Sequence, residues 1–179
     1  MNKALFLDRD GIINIDHGYV YKKEDFEFIE GIFELCQKAI SLHYKIIVIT
    51  NQAGIARGYY TQNDFLTLTQ WMENIFQQHN VEITDVFYCP HHPTNGVNEF
   101  KKECNCRKPA PGMILIAQQK HNISLKESIF IGDKESDMIA AKNAGIEKRI
   151  LVSSQYVQTS AYASHSEKTV KEVIKHINK

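Results

Sequence analysis

Short runs of apolar residues, mostly β-branched or aromatic, alternate along the chain with longer amphipathic stretches. The runs are almost uniformly apolar, which is typical of strands buried on both faces in a parallel sheet covered by helices. We predict five strands, at KALFLD (3–8), KIIVIT (45–50), DVFYC (85–89), SIFIGD (128–133) and RILV (149–152).

The amphipathic stretches predict helices between and after these strands. They are EGIFELCQKAISLH (30–43), TQNDFLTLTQWMENIFQQH (61–79), PGMILIAQQKH (111–121), ESDMIAAKNAG (135–145) and EKTVKEVIKHINK (167–179). Thr61 with Asp64 three residues later is close to a capping box, and Gly145 is well placed as a C-cap. The alternation predicts an α/β fold with a doubly wound parallel sheet.

Two long connections interrupt this alternation. Residues 9–29 follow the first predicted strand, and residues 90–110, which are rich in Cys, His and Pro, follow the third. Long ordered loops in a compact domain are usually functional, and ligands of open α/β sheets bind at the carboxyl ends of the strands. Because both loops leave from that edge, we expect a functional site there.

The length, composition and charge of the chain limit the functional classes to which it can belong. With 179 residues, the chain fits one domain spanning 1–179. Lys plus Arg and Asp plus Glu both total 21 and the pI is about 7.1, which argues against nucleic-acid or membrane-surface partners. The opening MNKALFLD has too short an apolar stretch for a signal peptide, and no run is long enough to span a membrane. We therefore expect a cytoplasmic, monomeric protein that acts on a small molecule.

Polar residues with complementary chemistry are expected at this edge. Asp8 and Asp10 follow the first strand, Thr50 and Asn51 end the second, Arg107 and Lys108 precede the third helix, and Asp133, Lys134 and Asp137 follow the fourth strand. Clustered carboxylates repel one another unless a cation lies among them, and hard oxygen ligands beside an open face suit Mg²⁺ with a phosphate. A hydroxyl and a lysine beside them would bind phosphate oxygens. The set predicts phosphoryl transfer, although Asp137 could equally only cap the following helix.

A second metal site is predicted from the cysteines. Two closely spaced pairs, Cys89-x-His91 and Cys104-x-Cys106, contain three of the four cysteines. Four such ligands suit tetrahedral Zn²⁺ with no open position, hence a structural site in a loop at about 89–107. His92 competes with His91 as a ligand. Cys36, on the apolar face of a predicted helix, is interpreted as a core residue.

The motifs DRDG, TNQ, RKP and GDKESD, in this order at strand ends, resemble those of the haloacid dehalogenase (HAD) superfamily of phosphatases. Within it, DRDGIIN…DHGYV, TNQAGIARG, CPHHP…CNCRKPAPGM and GDKESDM resemble the D-glycero-D-manno-heptose 1,7-bisphosphate phosphatases. The similarity covers residues 3–152. Histidinol-phosphate phosphatases share the strand-end motifs and the metal loop.

This resemblance implies a role for each matching residue. Asp8 would be the nucleophile that becomes an aspartyl phosphate, and Asp10 the general acid and base. Asp8, the backbone carbonyl of Asp10, and Asp133 would hold Mg²⁺. Thr50 and Lys108 would stabilise the phosphoryl group. The implied substrate contacts are Asp16, His17, Gly18, Tyr19, Asn51, Gln52, Arg107 and Lys134, with Arg107 on the second phosphate.

The resemblance also favours His91 over His92 as the zinc ligand. Ala53 departs from it, because the family often has Ser at that position. The implied fold is a HAD-like Rossmannoid sheet with a minimal cap. The implied reaction removes the 7-phosphate of a heptose 1,7-bisphosphate in lipopolysaccharide core biosynthesis. Histidinol-phosphate phosphatase is the alternative enzyme, and a zinc-stabilised binding module is the alternative from another class.

Overall fold

A computed structural model of the protein describes residues 1–178 and contains one six-stranded parallel sheet. The strands are β1 (Lys3–Leu7), β2 (Tyr44–Asn51), β3 (Ile83–Cys89), β4 (Ile129–Gly132), β5 (Lys148–Val152) and β6 (His165–Glu167). Their order in the sheet is β3-β2-β1-β4-β5-β6. The chain winds outward from β1 in one direction and then, after β3, in the other. The predicted doubly wound α/β fold is therefore confirmed.

Helices cover both faces of the sheet. They are α1 (Ile32–Ser41), α2 (Ala53–Ala56), α3 (Gln62–Gln78), α4 (Gly112–His121), α5 (Glu135–Ala144) and α6 (Val170–Val173). Short 3₁₀ turns occur at Lys23–Asp25, Asn98–Phe100, Leu125–Glu127 and Ile174–His176. No helix within residues 1–178 has the length and apolar character needed to cross a membrane.

The two faces carry separate apolar cores because the side chains of β1 alternate between them. Leu5 and Leu7 pack with α1, α3 and α6 on one face, whereas Ala4 and Phe6 pack with α4 and α5 on the other. All four are fully buried. This burial of both faces explains the uniformly apolar sequence of the central strand.

The predicted caps of two helices are present. Thr61 and Asp64 form a complete capping box at the start of α3, so this helix begins where the sequence indicates. Gly145 ends α5 in the left-handed conformation, with φ of 97°.

The C-terminal segment differs from its predicted single helix over 167–179. His165–Glu167 forms β6 beside β5, and only Val170–Val173 is α-helical before a 3₁₀ turn. Thr169 caps this helix by accepting from the amide of Glu172. Strand pairing before the cap and burial of Ile177 after it override the helical pattern. Residue 179 lies outside the described residues.

Candidate active site

The polar residues predicted from the strand ends meet at one edge of the sheet. Leu7, the last residue of β1, is in register with Val48 of β2 and Ile131 of β4, so the following residues of all three strands lie side by side. A cavity of about 460 Å³ opens there. It is lined by Asp8, Arg9, Asp10, Asp16, Gly18, Tyr19, Asn51, Gln52, Ala53, Gly54, Tyr60, Arg107, Lys108, Pro109, Lys134, Ser136, Asp137 and Tyr156.

A buried lysine joins two buried carboxylates at this cavity. The Lys108 ammonium lies 2.9 Å from Asp8 Oδ1 and 2.7 Å from Asp137 Oδ1, and it donates to the carbonyl of Ile49 at 2.8 Å. Burial and the charge of Asp137 raise the pKa of Asp8 from its ordinary 3.8 to about 6, although Lys108 opposes this. Burial disfavours the charged lysine, but the two carboxylates outweigh it and raise the pKa of Lys108.

Asp133 lies beside this group without a hydrogen-bond partner. Both of its carboxylate oxygens are buried and unpaired among the described residues, which is costly unless a ligand satisfies them. Burial, then the charges of Asp8 and Asp137, raise the pKa of Asp133 to about 9. A side chain at Gly11 would place a Cβ 2.2 Å from Asp133 Oδ2, so glycine is required at this close approach.

These carboxylates fit a divalent cation. One oxygen each of Asp8, Asp133 and Asp137 lie within 4.8 Å of one another. Asp137 has less capacity to ligate a metal, because its Oδ2 accepts from the amides of Asp133 and Lys134 at 3.1 Å and its Oδ1 contacts Lys108. It therefore both caps α5 and holds the lysine. Asp8 and Asp133 are the candidate metal ligands, as the sequence predicts.

The Asp10 side chain is held away from this group by Arg9. The Arg9 guanidinium donates to both Asp10 oxygens, at 2.9 and 3.2 Å, and Asn14 Nδ2 adds a bond of 3.0 Å. Burial opposes ionisation of Asp10, but the Arg9 charge and these hydrogen bonds hold its pKa below the ordinary value. Arg9 itself is buried and donates to the carbonyl of Val20 at 2.7 Å.

Residues at the end of β2 form a hydrogen-bonded chain. Gln52 Nε2 donates to Thr50 Oγ1 at 2.8 Å and contacts Asp10 Oδ2 at 3.3 Å, while the Tyr60 hydroxyl donates to Gln52 Oε1. Thr50 is fully buried and does not line the cavity.

Asn51 binds the backbone of the Lys108 residue. Its Oδ1 accepts from the Lys108 amide at 3.0 Å and its Nδ2 donates to the Lys108 carbonyl at 3.1 Å. Although Asn51 lines the cavity, its amide group is occupied by these two bonds. Its observed part is to hold the lysine in place.

The predicted sugar contacts divide between two places. Asp16, Gly18 and Tyr19 line the cavity. His17 does not line it, and its Nε2 lies 3.3 Å from Glu27 Oε2 in a neighbouring cavity that Gly18 and Tyr19 also line. The structure therefore places the other three contacts, but not His17, at the cavity beside Asp8.

The cysteine and histidine pairs converge beside the same edge. Cys89 Sγ lies 2.9 Å from Cys106 Sγ and 3.5 Å from Cys104 Sγ, and His91 Nδ1 lies 3.3 Å from Cys106 Sγ. Four soft or borderline donor atoms within 4.8 Å of one another fit a tetrahedral metal ion. His92 does not belong to this cluster. Its Nδ1 instead accepts from the amides of Thr94 and Asn95.

Arg9, Tyr60 and Tyr156 are among the cavity-lining residues that were not predicted from the sequence. Arg9 could have been found, because a cation between two acids is expected to pair with one of them. Tyr60 and Tyr156 gave no signal, since both lie in loops whose path depends on tertiary packing. Arg107, which was predicted, lines the cavity and donates to the carbonyl of His91 at 3.4 Å.

A doubly wound sheet with acidic residues after its central strand and a buried lysine beside them defines the HAD-like class of phosphatases. The chain matches the model of the polynucleotide kinase 3 phosphatase family over residues 4–168, and it belongs to that family. The predicted superfamily and enzyme class, a phosphoric monoester hydrolase, are thereby confirmed.

Curated relatives are similar over most of the chain. A D-glycero-beta-D-manno-heptose-1,7-bisphosphate 7-phosphatase of Helicobacter pylori is 53% identical over 152 residues, which are 84% of each chain. A D-glycero-alpha-D-manno-heptose-1,7-bisphosphate 7-phosphatase of Burkholderia mallei is 50% identical over 84% of this chain and 80% of its own. The first relative is named for the beta anomer and the second for the alpha anomer, although their identities to this chain are nearly equal.

Solved structures show the same fold. A HAD-like phosphatase from Mesorhizobium loti superimposes with a TM-score of 0.86 and 27% identity, over 99% of this chain and 88% of its own. A D,D-heptose 1,7-bisphosphate phosphatase from B. bronchiseptica, complexed with magnesium and phosphate, superimposes with a TM-score of 0.82 and 24% identity. The match covers 98% of this chain and 97% of its own.

Proposed function

We propose that this protein is a Mg²⁺-dependent phosphatase that removes the 7-phosphate of D-glycero-D-manno-heptose 1,7-bisphosphate. The observation that carries the proposal is the Asp8–Lys108 pair at the cavity, with the unpaired Asp133 carboxylate beside it. The names of relatives at 50 and 53% identity support the substrate. The heptose monophosphate product would lead to the nucleotide-activated heptose of lipopolysaccharide core.

In the proposed reaction an Asp8 oxygen attacks phosphorus, and the bond to the sugar oxygen breaks. Both observed hydrogen bonds to Asp8, from Lys108 and from the Arg9 amide, use Oδ1. Oδ2 is therefore left for the attack. Lys108 would offset negative charge on the phosphoryl group. The buried Thr50 hydroxyl accepts from Gln52 Nε2, which also contacts Asp10.

Asp10 would move the proton in both halves of the reaction. It first gives a proton to the sugar oxygen, and it then takes one from the water that hydrolyses the aspartyl phosphate. Arg9 holds the pKa of Asp10 below its ordinary value, so the proton for the first half would arrive with the substrate. A phosphate monoester with a second pKa near 6 can bring it as the monoanion and pass it to Asp10, which then gives it to the sugar oxygen as the bond to phosphorus breaks.

Asp8, Asp133 and the backbone carbonyl of Asp10 would hold the Mg²⁺. When bound, the ion supplies positive charge to the phosphoryl oxygens and neutralises the clustered acids. Asp8 and Asp133 thereby gain the counter-charge that their burial requires.

The clustered acids predict a pH-dependent effect of the metal on stability. Asp8 and Asp133 have folded-state pKa values of about 6 and about 9, above their ordinary 3.8. Ionising them costs folding free energy, so without Mg²⁺ the melting temperature should fall as the pH rises from the ordinary value of 3.8 to about 9. Added Mg²⁺ should remove this fall. Thermal melts with and without Mg²⁺, with zinc retained in both, measure it, and Asp133→Asn is the control that should flatten the Mg²⁺-free curve between pH 6 and 9. Equal slopes with and without Mg²⁺ would contradict the prediction.

The substrate is tested by phosphate release from both anomers of the heptose bisphosphate and from histidinol phosphate, each with Mg²⁺. We expect release of one phosphate per heptose bisphosphate and much weaker activity on histidinol phosphate. Arg107 and Lys134, which both line the cavity, support this preference, because a second phosphate would offset their charges. A clear preference for histidinol phosphate would overturn the proposed substrate. Because relatives are named for each of the two anomers, the same assay also determines which anomer this protein prefers.

We propose that the Cys89, His91, Cys104 and Cys106 cluster holds a structural Zn²⁺. The donor set is complete with four protein ligands, which is typical of structural rather than catalytic zinc. Arg107 and Lys108 follow Cys106 directly, so the ion would fix the loop that presents both cations to the cavity. We further propose that residues 1–179 act as a single domain and as a monomer in the cytoplasm.

Cys104→Ser should abolish stoichiometric zinc binding and lower phosphate release by about 10- to 100-fold, because the loop before Lys108 loses its anchor. Metal analysis and steady-state assays of the purified variant measure both effects. Cys36→Ala is the matched control, since Cys36 is buried in the core near α3 and away from the cluster. Full zinc content in Cys104→Ser would refute the assignment of this ligand.

A further inference from the structure

A tyrosine from the loop after β5 reaches across the mouth of the cavity to the loop after β1. The Tyr156 hydroxyl donates to Asp16 Oδ2 at 2.7 Å, and both residues line the cavity. They are 140 positions apart in the sequence. The bond therefore joins two loops that are otherwise distant along the chain.

The same tyrosine also contacts the lysine that follows the candidate metal ligand. The Lys134 ammonium lies 4.3 Å from the centre of the Tyr156 ring and 3.6 Å from Asp16 Oδ2. The face of the Tyr156 ring attracts the Lys134 ammonium, and the Tyr156 hydroxyl holds the Asp16 carboxylate, which is the counter-charge of that ammonium. Tyr156, Asp16 and Lys134 thus form one group, which we call the mouth triad.

Hydrogen bonds with backbone groups hold both ends of the mouth triad in place. Ser154 Oγ donates to the carbonyl of Asp133 at 2.7 Å and accepts from the Tyr156 amide at 3.2 Å. On the other side, Asp16 Oδ1 accepts from the amide of Gly18 at 3.0 Å. The tyrosine is therefore anchored to the end of β4, although its own side chain is 54% exposed.

We propose that Tyr156 is a positioning residue for the sugar part of the substrate. It holds Asp16 as an acceptor for sugar hydroxyls and keeps the Lys134 charge available to the distal phosphate. Without the hydroxyl, Asp16 is free to turn and pair fully with Lys134, and each would neutralise the other. This inference rests on the proposed function, because it assigns a substrate contact within that site.

Tyr156→Phe tests the proposal, because it removes the hydroxyl and keeps the ring beside Lys134. We expect KM for the heptose bisphosphate to rise by about five- to tenfold, which is the range for loss of one ordinary hydrogen bond, with kcat within about twofold of wild type. KM for acetyl phosphate, which is too small to reach the mouth triad, should not change. The melting temperature of Tyr156→Phe should also equal that of wild type.

Tyr162→Phe is the matched control. Tyr162 lies in the same loop and its ring is near Lys142, but its hydroxyl has no hydrogen-bond partner within residues 1–178. This variant should keep wild-type KM on both substrates.

A double-mutant cycle then shows whether Tyr156 acts through Asp16. If it does, Tyr156→Phe combined with Asp16→Asn has the same KM as Asp16→Asn alone. Additive effects would overturn the proposal, and so would an unchanged KM in Tyr156→Phe or an equal rise on acetyl phosphate. Failure of wild type to hydrolyse either heptose anomer would instead overturn the proposed function. The cycle is then run on the sugar phosphate that wild type hydrolyses best, where the same outcomes decide the role of Tyr156.

Discussion

Asp8→Asn is expected to lower phosphate release by roughly 10⁴-fold or more while leaving the fold intact. The amide is a poor nucleophile for phosphorus, so the aspartyl phosphate cannot form at a useful rate. Its oxygen can still accept from Lys108 and from the Arg9 amide, the two observed partners of Asp8 Oδ1. Steady-state phosphate release, with single-turnover trapping of labelled phosphoprotein, measures the loss directly.

The fold of this variant is checked by its melting temperature and zinc content, both of which should match wild type. Replacing Asp8 also removes one of the acids that raise the pKa of Asp133, so no loss of stability is expected. Asp25→Asn is the control, because Asp25 is an exposed acid in a short 3₁₀ turn. An Asp8→Asn protein with wild-type activity would rule out the covalent mechanism.

Lys108→Met is expected to damage both catalysis and stability. Loss of the ammonium should lower kcat by about 10²- to 10³-fold, which is typical for removal of one charge-stabilising donor. It also leaves Asp8 and Asp137 buried without their shared cation, which should cost about 3–5 kcal/mol of unfolding free energy. Denaturant unfolding and steady-state kinetics measure the two effects separately.

A second substitution separates these two effects. Adding Asp137→Asn to Lys108→Met should recover much of the stability, because one uncompensated charge disappears, but it should not recover activity. Lys126→Met, at an exposed position, is the control for loss of a lysine. Near-wild-type stability of Lys108→Met in metal-free buffer would contradict the buried ion-pair interpretation.

The sequence was informative wherever a residue follows a buried strand. Asp8 and Asp133 both follow apolar strands, so the pattern of strands alone placed them at one edge of the sheet, and the pairing of β1 with β4 brings them side by side. Lys108 follows no strand, and the motifs with the adjacent cysteine pair were needed to place it. The sheet and the positions at its edge were therefore predictable.

Side-chain partners inside the loops were not predictable in the same way. His17 and Asp16 are neighbours in the sequence, yet one bonds Glu27 and the other Tyr156. The direction of each side chain depends on loop conformation and on residues far away along the chain. The short β6 was missed for a related reason, because a three-residue edge strand carries no apolar period.

The paired bonds between Asn51 and the Lys108 backbone have a consequence for loop entropy. They bind the N–H and the C=O of one residue, so the Asn51 side chain joins the 90–110 loop to the end of β2. Together with the cysteine cluster, this divides one long loop into shorter closed segments, each with a lower closure cost. The ammonium that lies beside Asp8 is thus carried by a residue whose own backbone is fixed to the sheet.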